Sequence, residues 1–238
     1  VAYGIEKFKV GEVSTFIDIG ACGGTISLNA LQILAPERII SLEPCKETFE
    51  ILLNTNKNTG NAFECYNVCY GSGESLYYIY KRAKGMRRFL THSEINWDRA
   101  KKFFARHPTY LIESKSLNQM FEDYNIDADK PYIIKIDCEG CERFLLENVD
   151  DVIYIRNSLL FTGELHFFNF DFNGTPRAES KKGDDFASWL YSNFFHTNDI
   201  TILSKRSKPV IAGSLTELVD YFSSGGRYRY IKISQKEG

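Results

Sequence analysis

The sequence has no apolar run approaching the roughly 20 residues that a membrane-crossing helix needs. Its start, Val-Ala-Tyr-Gly-Ile-Glu-Lys, has no secretory apolar core. These absences predict a soluble, cytoplasmic protein with no membrane partner, and Val1 in place of an initiator Met predicts a segment upstream. No export signal accompanies the six cysteines, so they are expected to stay reduced. No second ligand pair at zinc-like spacing accompanies Cys138 and Cys141, which read instead as two small residues packing where a strand meets a helix. Internal repeats and low-complexity linkers are absent too, and 238 residues suit one large domain, 1–238.

The formal charge of −2 conceals a segregation. Residues 81–107 hold nine basic side chains (Lys81, Arg82, Lys84, Arg87, Arg88, Arg99, Lys101, Lys102, Arg106) against Glu94 and Asp98, a balance of +7 that leaves −9 elsewhere. Such a block reads as a solvated face, as a receiver for an anionic acceptor, or as a nucleic-acid contact. It is expected to be a basic insertion, 81–107, within the domain.

Two phosphate-binding patterns are also missing. A dinucleotide fingerprint starting at Gly20 needs glycines where Cys22 and Thr25 stand, and no Gly-Lys-Ser/Thr follows as a Walker loop requires. What is present is Asp18-x-Gly20-x-x-x-Gly24, with Ala21 and Cys22 inside it, between an apolar β-type run and a helical pattern carrying Ile26, Leu28, Ala30 and Leu31. Backbone amides are expected to converge on a ligand there. Glu43 ends the second strand, where a carboxylate can accept from both ribose hydroxyls of an adenosine cofactor. Together these favour S-adenosylmethionine.

Strands are expected at about Thr15–Ile19, Arg38–Leu42, Ala62–Cys69, Leu76–Tyr80, Thr109–Ile112, Tyr132–Ile136, Leu159–Leu165, Ile200–Leu203 and Tyr228–Ile233. Helices follow the first two, begin at Leu117 and at Cys138–Glu142, and cover about Asp185–Phe194 and Leu215–Phe222. Trp97, Ala100 and Phe104 form a helical stripe that reads as core contact. This alternation predicts an α/β fold, a doubly wound, mostly parallel sheet. Ligands in such sheets sit beyond the carboxyl ends of the strands. The site is therefore expected at residues 18–25, 43, 67–73, 137 and 164–166, with Asn67 or a neighbour beside adenine.

These residues resemble the FkbM-type family of S-adenosylmethionine-dependent methyltransferases over most of residues 15–166. Asp18-Ile-Gly-Ala-Cys-Gly-Gly24 is similar to the family's Asp-x-Gly-Ala-Asn-x-Gly, with Cys22 in place of Asn. Glu43-Pro44 matches its Glu-Pro, Asn54 and Asn58 its spaced asparagines, and Leu117-Asn118 its Leu-Asp with Asn in place of Asp. Lys135, Ile136, Asp137, Glu139, Gly140 and Glu142 match Lys-Ile-Asp-x-Glu-Gly-x-Glu, and Glu164 with His166 resembles its Glu-x-His. The resemblance implies a Rossmann-like methyltransferase using S-adenosylmethionine.

Methyl transfer needs an in-line nucleophile, its deprotonation and exclusion of water. Asp18, Gly20, Ala21, Cys22, Gly24, Glu43 and Asn67 are the expected cofactor-binding residues. Asp137 is the leading candidate for general base or acceptor orienter, with a helix N-cap as its structural alternative. His166 beside Glu164 is the second candidate base. Lys135, inside a buried strand, completes the catalytic set and is expected to pair with Asp137 or Glu164. Glu139 and Glu142 read as first-turn acids that complement a helix dipole. A metal between Asp137 and Glu164 is conceivable, but none is required. The expected reaction is O-methylation of a sugar, glycan or small metabolite; a nucleic-acid acceptor and a non-catalytic binding module are the alternatives.

Overall fold

Three runs rich in Ile form the centre of the molecule. Their behaviour is seen in a computed structural model that describes residues 3–81, 86–90, 109–138, 140–166, 179–203, 210–223 and 229–236. In chain order the elements are β1 (Thr15–Ile19), α1 (Thr25–Leu34), β2 (Arg38–Leu42), α2 (Lys46–Asn58), β3 (Glu64–Tyr66), β4 (Cys69–Tyr70), β5 (Leu76–Lys81), β6 (Met86–Leu90), β7 (Thr109–Ile112), β8 (Ser114–Lys115) and α3 (Leu117–Asp123). They continue with β9 (Tyr132–Ile136), α4 (Val152–Asn157), β10 (Leu160–Leu165), α5 (Glu179–Phe194), β11 (Asn198–Leu203), β12 (Val210–Ile211), α6 (Leu215–Ser223) and β13 (Arg229–Gln235).

An eight-stranded sheet runs β12-β11-β13-β10-β9-β1-β2-β3. From β10 to β3 the neighbours are parallel, whereas β13, β11 and β12 pair antiparallel. Every residue of β1 and β9 is buried, as parallel strands covered on both faces require. Ile17, Ile40, Ile134 and Phe161 align across one face and pack with Phe121 of α3, Phe186 and Leu190 of α5 and Phe222 of α6. Phe16, Ile39, Ile133 and Leu160 face the other way, under Ala30 and Leu34 of α1 and under Tyr3 and Ile5 of the lead-in. Each such side chain stabilises the fold by about 1.5–3 kcal/mol. The doubly wound α/β architecture is as expected.

On the α1 face a polar row interrupts this pattern. Ser41, Asp18, Lys135 and Thr162 stand side by side in register and are all buried. This row lies one step below the carboxyl ends of the strands, so it is the floor of the site.

Several local expectations are corrected. The strand expected over Ala62–Cys69 is two: β3 pairs with β2, β4 pairs with β8, and the break falls where Asn67 turns its side-chain amide onto the Glu43 and Pro44 carbonyls. The helix expected to open at Cys138–Glu142 is a 3-10 turn, Cys141–Leu146, and α4 is a separate helix. The basic block contains β6, which joins β5 and β7 in an antiparallel sheet ordered β6-β5-β7. Asn54 and Asn58 are exposed; the asparagine that α2 buries is Asn56, bonded to both backbone groups of Phe63. The stripe of Trp97, Ala100 and Phe104 lies outside the described residues, as does Glu139. Among the described residues no helix is long and apolar enough to cross a membrane.

Candidate active site

The first loop of the site is built by backbone conformation. Gly20, Cys22 and Gly24 all have positive φ, at 78°, 51° and 86°. A side chain at Gly20 would collide with the Asp137 carbonyl oxygen, so the ends of β1 and β9 approach this closely only with glycine between them. Gly24 is the N-cap of α1 and offers no side-chain cap, which leaves the first-turn amides of that helix open to a ligand. The amides within the turn are mostly spent on the scaffold, contrary to expectation. Those of Gly20 and Ala21 both donate to the Leu42 carbonyl, and that of Gly24 to Ala21. Ala21 itself is buried, whereas Cys22 is exposed.

Glu43 closes this loop onto the next. Its Oε2 accepts from the Cys22 amide at 2.8 Å, while its Oε1 accepts from the Cys45 amide at 2.8 Å and from Thr48 at 2.7 Å. Asn67 braces the same loop from just beyond β3, its NH2 group donating to the Glu43 and Pro44 carbonyls. Glu43 is buried here, and its Oε2 carries one donor and retains a lone pair. The donor set therefore fits an adenosine cofactor: a carboxylate able to accept a ribose hydroxyl, next to open helix amides.

Beneath the turn lies a closed ion pair. Lys135 Nζ stands 2.8 Å from Asp18 Oδ1 and donates to the Gly20 carbonyl at 2.8 Å and the Ile19 carbonyl at 3.3 Å. Asp18 also accepts from Ser27 Oγ at 2.7 Å, and both charged side chains are buried. Burial works against the ammonium, but the charges of Asp18 and Asp137 and the bond to Asp18 outweigh it, holding Lys135 above the ordinary lysine pKa. This corrects the expected partner of Lys135. The partner of Lys135 is Asp18, the in-register neighbour on β1, and both side chains are buried beneath the turn, not exposed at its surface. Both hold the glycine turn from below.

Beyond the ends of β9 and β10 lies a second cluster of different character. Asp137 keeps a quarter of its side chain exposed and accepts from Tyr3 OH at 2.7 Å through Oδ2. It caps no helix, since the 3-10 turn is preceded by Gly140. His166 Nδ1 lies 3.1 Å from Glu142 Oε1 and 3.9 Å from Asp137 Oδ1, and its Nε2 lies 3.8 Å from Glu164 Oε1. Asp137, Glu142 and Glu164 thus all stand around the His166 ring.

Sequence reasoning missed two members of this cluster. Glu142 is not a surface acid on a helix dipole. It is fully buried and accepts from the Cys138 and Gly140 amides at 2.8 Å each as well as facing His166. Burial pushes its pKa up, but the bond to His166, the charge of His166 and the Cys138 amide prevail and hold it below the usual carboxylate range. Tyr3 comes from a lead-in with no periodic signal; burial and the neighbouring Asp137 charge raise its pKa well above the ordinary tyrosine value, so it stays a hydrogen-bond donor. Its ring also lies 5.6 Å from Lys135 Nζ. Cys138 and Cys141 are buried free thiols whose pKa values burial raises, as packing residues should have.

A mostly parallel sheet with a glycine turn after β1, an acid after β2, and a carboxylate cluster after β9 and β10 has the layout of a Rossmann-like methyltransferase. The profile of the Methyltransferase FkbM domain matches residues 18–200, and the chain belongs to that family as an S-adenosylmethionine-dependent methyltransferase. No curated protein matches the chain. Among solved structures it is similar to a putative rRNA methylase from Clostridium thermocellum, 7% identical, with 99% of this chain and 93% of that one covered and a TM-score of 0.52. It also matches methyltransferase FkbM from Methylobacillus flagellatus KT, 14% identical, with 93% and 43% covered and a TM-score of 0.46. A third is a protein of the NADB-Rossmann superfamily from Streptococcus agalactiae, 13% identical, with 99% and 67% covered and a TM-score of 0.45.

Proposed function

We propose that the chain O-methylates a hydroxyl of a sugar, glycan or other small metabolite, as one methyltransferase domain, 1–238, in which 81–107 is a basic insertion. The observation that carries this reading is the cluster of Asp137, Glu142, Glu164 and His166 just beyond β9 and β10, where a hydroxyl can be received and its proton accepted. Glu43 and the first-turn amides of α1 would hold the cofactor, on a turn fixed by Asp18 and Lys135. S-adenosylmethionine, when bound, supplies an electrophilic methyl group.

In this reading Asp137 orients the acceptor hydroxyl and is the first candidate to accept its proton. Tyr3 holds Oδ2, which leaves Oδ1 for that task. His166 is the second proton acceptor, and Glu164 flanks it on the other side. The basic insertion would draw an anionic acceptor toward the site. All six cysteines being free suits work in the cytoplasm.

Calorimetry with S-adenosylhomocysteine should show micromolar binding that Glu43→Gln weakens about tenfold, the worth of one charge-assisted hydrogen bond. Methyl transfer from labelled cofactor to a panel of glycosides and hydroxy metabolites should then be measured, with short RNA in parallel. The balance of +7 in residues 81–107 is what favours the RNA arm. Transfer to RNA alone, lost as salt rises, would replace the small-acceptor reading, and absence of cofactor binding would remove both.

A further inference from the structure

We propose that Asp137, Glu142 and His166 form a binding site for one divalent transition-metal ion at the acceptor end of the sheet. The proposal rests on the methyltransferase reading and refines it, and it departs from the expectation that no metal is needed.

Geometry comes first. Each of the three residues brings one ligand atom from a different segment, the end of β9, the 3-10 turn and the end of β10, and these atoms lie within 4.8 Å of one another. Bonds of about 2.1 Å around one ion place neighbouring ligand atoms roughly 3–3.5 Å apart. His166 Nδ1 and Glu142 Oε1 already stand at 3.1 Å, and Asp137 Oδ1, at 3.9 Å from Nδ1, needs a small inward shift. Asp137 is the partly exposed member, so it is also the one free to make that shift.

The surroundings are those that ligands of a metal require. A metal-bound imidazole orients its other nitrogen toward a carboxylate, and ligating carboxylates are themselves held by donors. Here Nε2 of His166 faces Glu164 at 3.8 Å. Glu142 Oε2 is held by the Gly140 amide, and Asp137 Oδ2 by Tyr3. Two of the three ligands are buried and so already fixed in place.

Charge supplies the independent argument. Among the described residues, Asp137, Glu142 and Glu164 bring three carboxylates to the one imidazole of His166. That excess of negative charge favours a cation among them. Two carboxylates and an imidazole suit Mn²⁺ or Zn²⁺ better than Mg²⁺, which prefers oxygen and retains its water. An ion held by these three residues would act as a Lewis acid toward the acceptor hydroxyl and make its proton easier to remove.

The test is calorimetric titration of the chelator-treated full chain with Mn²⁺ or Zn²⁺ alone, without cofactor. One ion per chain at micromolar affinity is expected, weakened at least tenfold by His166→Gln and by Asp137→Asn. The second variant alters a partly exposed residue and guards against a folding defect in the first. No uptake at millimolar metal, or uptake unchanged in both variants, overturns the site. If S-adenosylhomocysteine still binds while metal does not, the methyltransferase reading stands and Glu142–His166 is an ordinary carboxylate–imidazole hydrogen bond. If metal binds and S-adenosylhomocysteine does not, the metal site stands and the cofactor reading falls.

Discussion

Two groups of charges lie within a few residues of each other along β9, and they obey opposite rules. Asp18 and Lys135 are matched one to one, sealed from solvent and further bonded to Ser27 and to two backbone carbonyls. Asp137, Glu142, Glu164 and His166 hold three carboxylates around one imidazole, and Asp137 and Glu164 remain partly exposed. A balanced, closed pair has nothing left to offer a ligand, so its work is mechanical: it holds the glycine turn. An unbalanced, open group is electrostatically incomplete until something cationic or protonated joins it.

The comparison breaks most visibly at Lys135. Lys135→Met strands Asp18 in the interior, and loss of one partner from a buried pair costs about 3–5 kcal/mol. Removing both charges with Asp18→Leu and Lys135→Met should recover more than half of that, because Ser27 and Ser41 can bond to each other at 2.8 Å. Urea unfolding of the two variants measures both values. A cost below about 1 kcal/mol for Lys135→Met would show that the pair does not hold the turn.

On the open side the expected loss is in rate rather than fold. Asp137→Asn should lower methyl transfer about a hundredfold to ten-thousandfold, the range for a positioned proton acceptor. Its unfolding free energy should stay within about 0.5 kcal/mol of the parent, since its side chain is partly exposed. Equal losses in stability and rate would merge the two groups into one structural network.

The difference between these groups also explains what could be read in advance. Strands β1, β2 and β9 are legible to the residue, because each is a short run rich in isoleucine that carries only one or two polar side chains and is buried almost throughout. The glycine turn and Glu43 are legible for a related reason: the chemistry there is local in the chain. Lys135 visibly needed a partner, but which carboxylate it met depended on β9 lying beside β1, and register between distant segments leaves no mark within either one. Tyr3 meets Asp137 across 134 residues from a segment without periodicity. Glu142 was visible as a signature residue, yet its role turned on a 3-10 turn after Gly140, with φ of 115°, replacing the expected α-helix. In that geometry the carboxylate folds back under the loop instead of facing solvent.

Tyr3 sharpens the comparison because it touches both groups, through Asp137 and over Lys135. Tyr3→Phe keeps the ring and removes only the hydroxyl. It should therefore leave the buried pair intact while lowering methyl transfer about three- to tenfold, the worth of one hydrogen bond of roughly 0.5–1.5 kcal/mol. Unchanged S-adenosylhomocysteine affinity by calorimetry would place the effect on the acceptor side, whereas a matching loss there would place Tyr3 with the turn.

The smallest effect belongs to a third pair, which sets the scale for the other two. Arg38 on β2 grips Glu64 on β3 with two parallel bonds, 2.8 and 2.9 Å, and its remaining donors reach the Tyr124 and Asn125 carbonyls. The hydrogen bond and charge of Arg38 outweigh partial burial and hold Glu64 below the ordinary glutamate pKa. A depressed folded-state value contributes stability above the unfolded value, near 4.3, and loses it as pH falls through the folded value. Because both side chains are about one-third exposed, the contribution is roughly 0.5–1 kcal/mol. Urea titrations of the parent and Glu64→Gln should therefore differ by that amount at pH 7 and converge toward pH 3. Losing one partner of this exposed pair then costs several-fold less than stranding Asp18 in the interior, because water takes over from the lost partner at the surface and cannot do so inside the sheet.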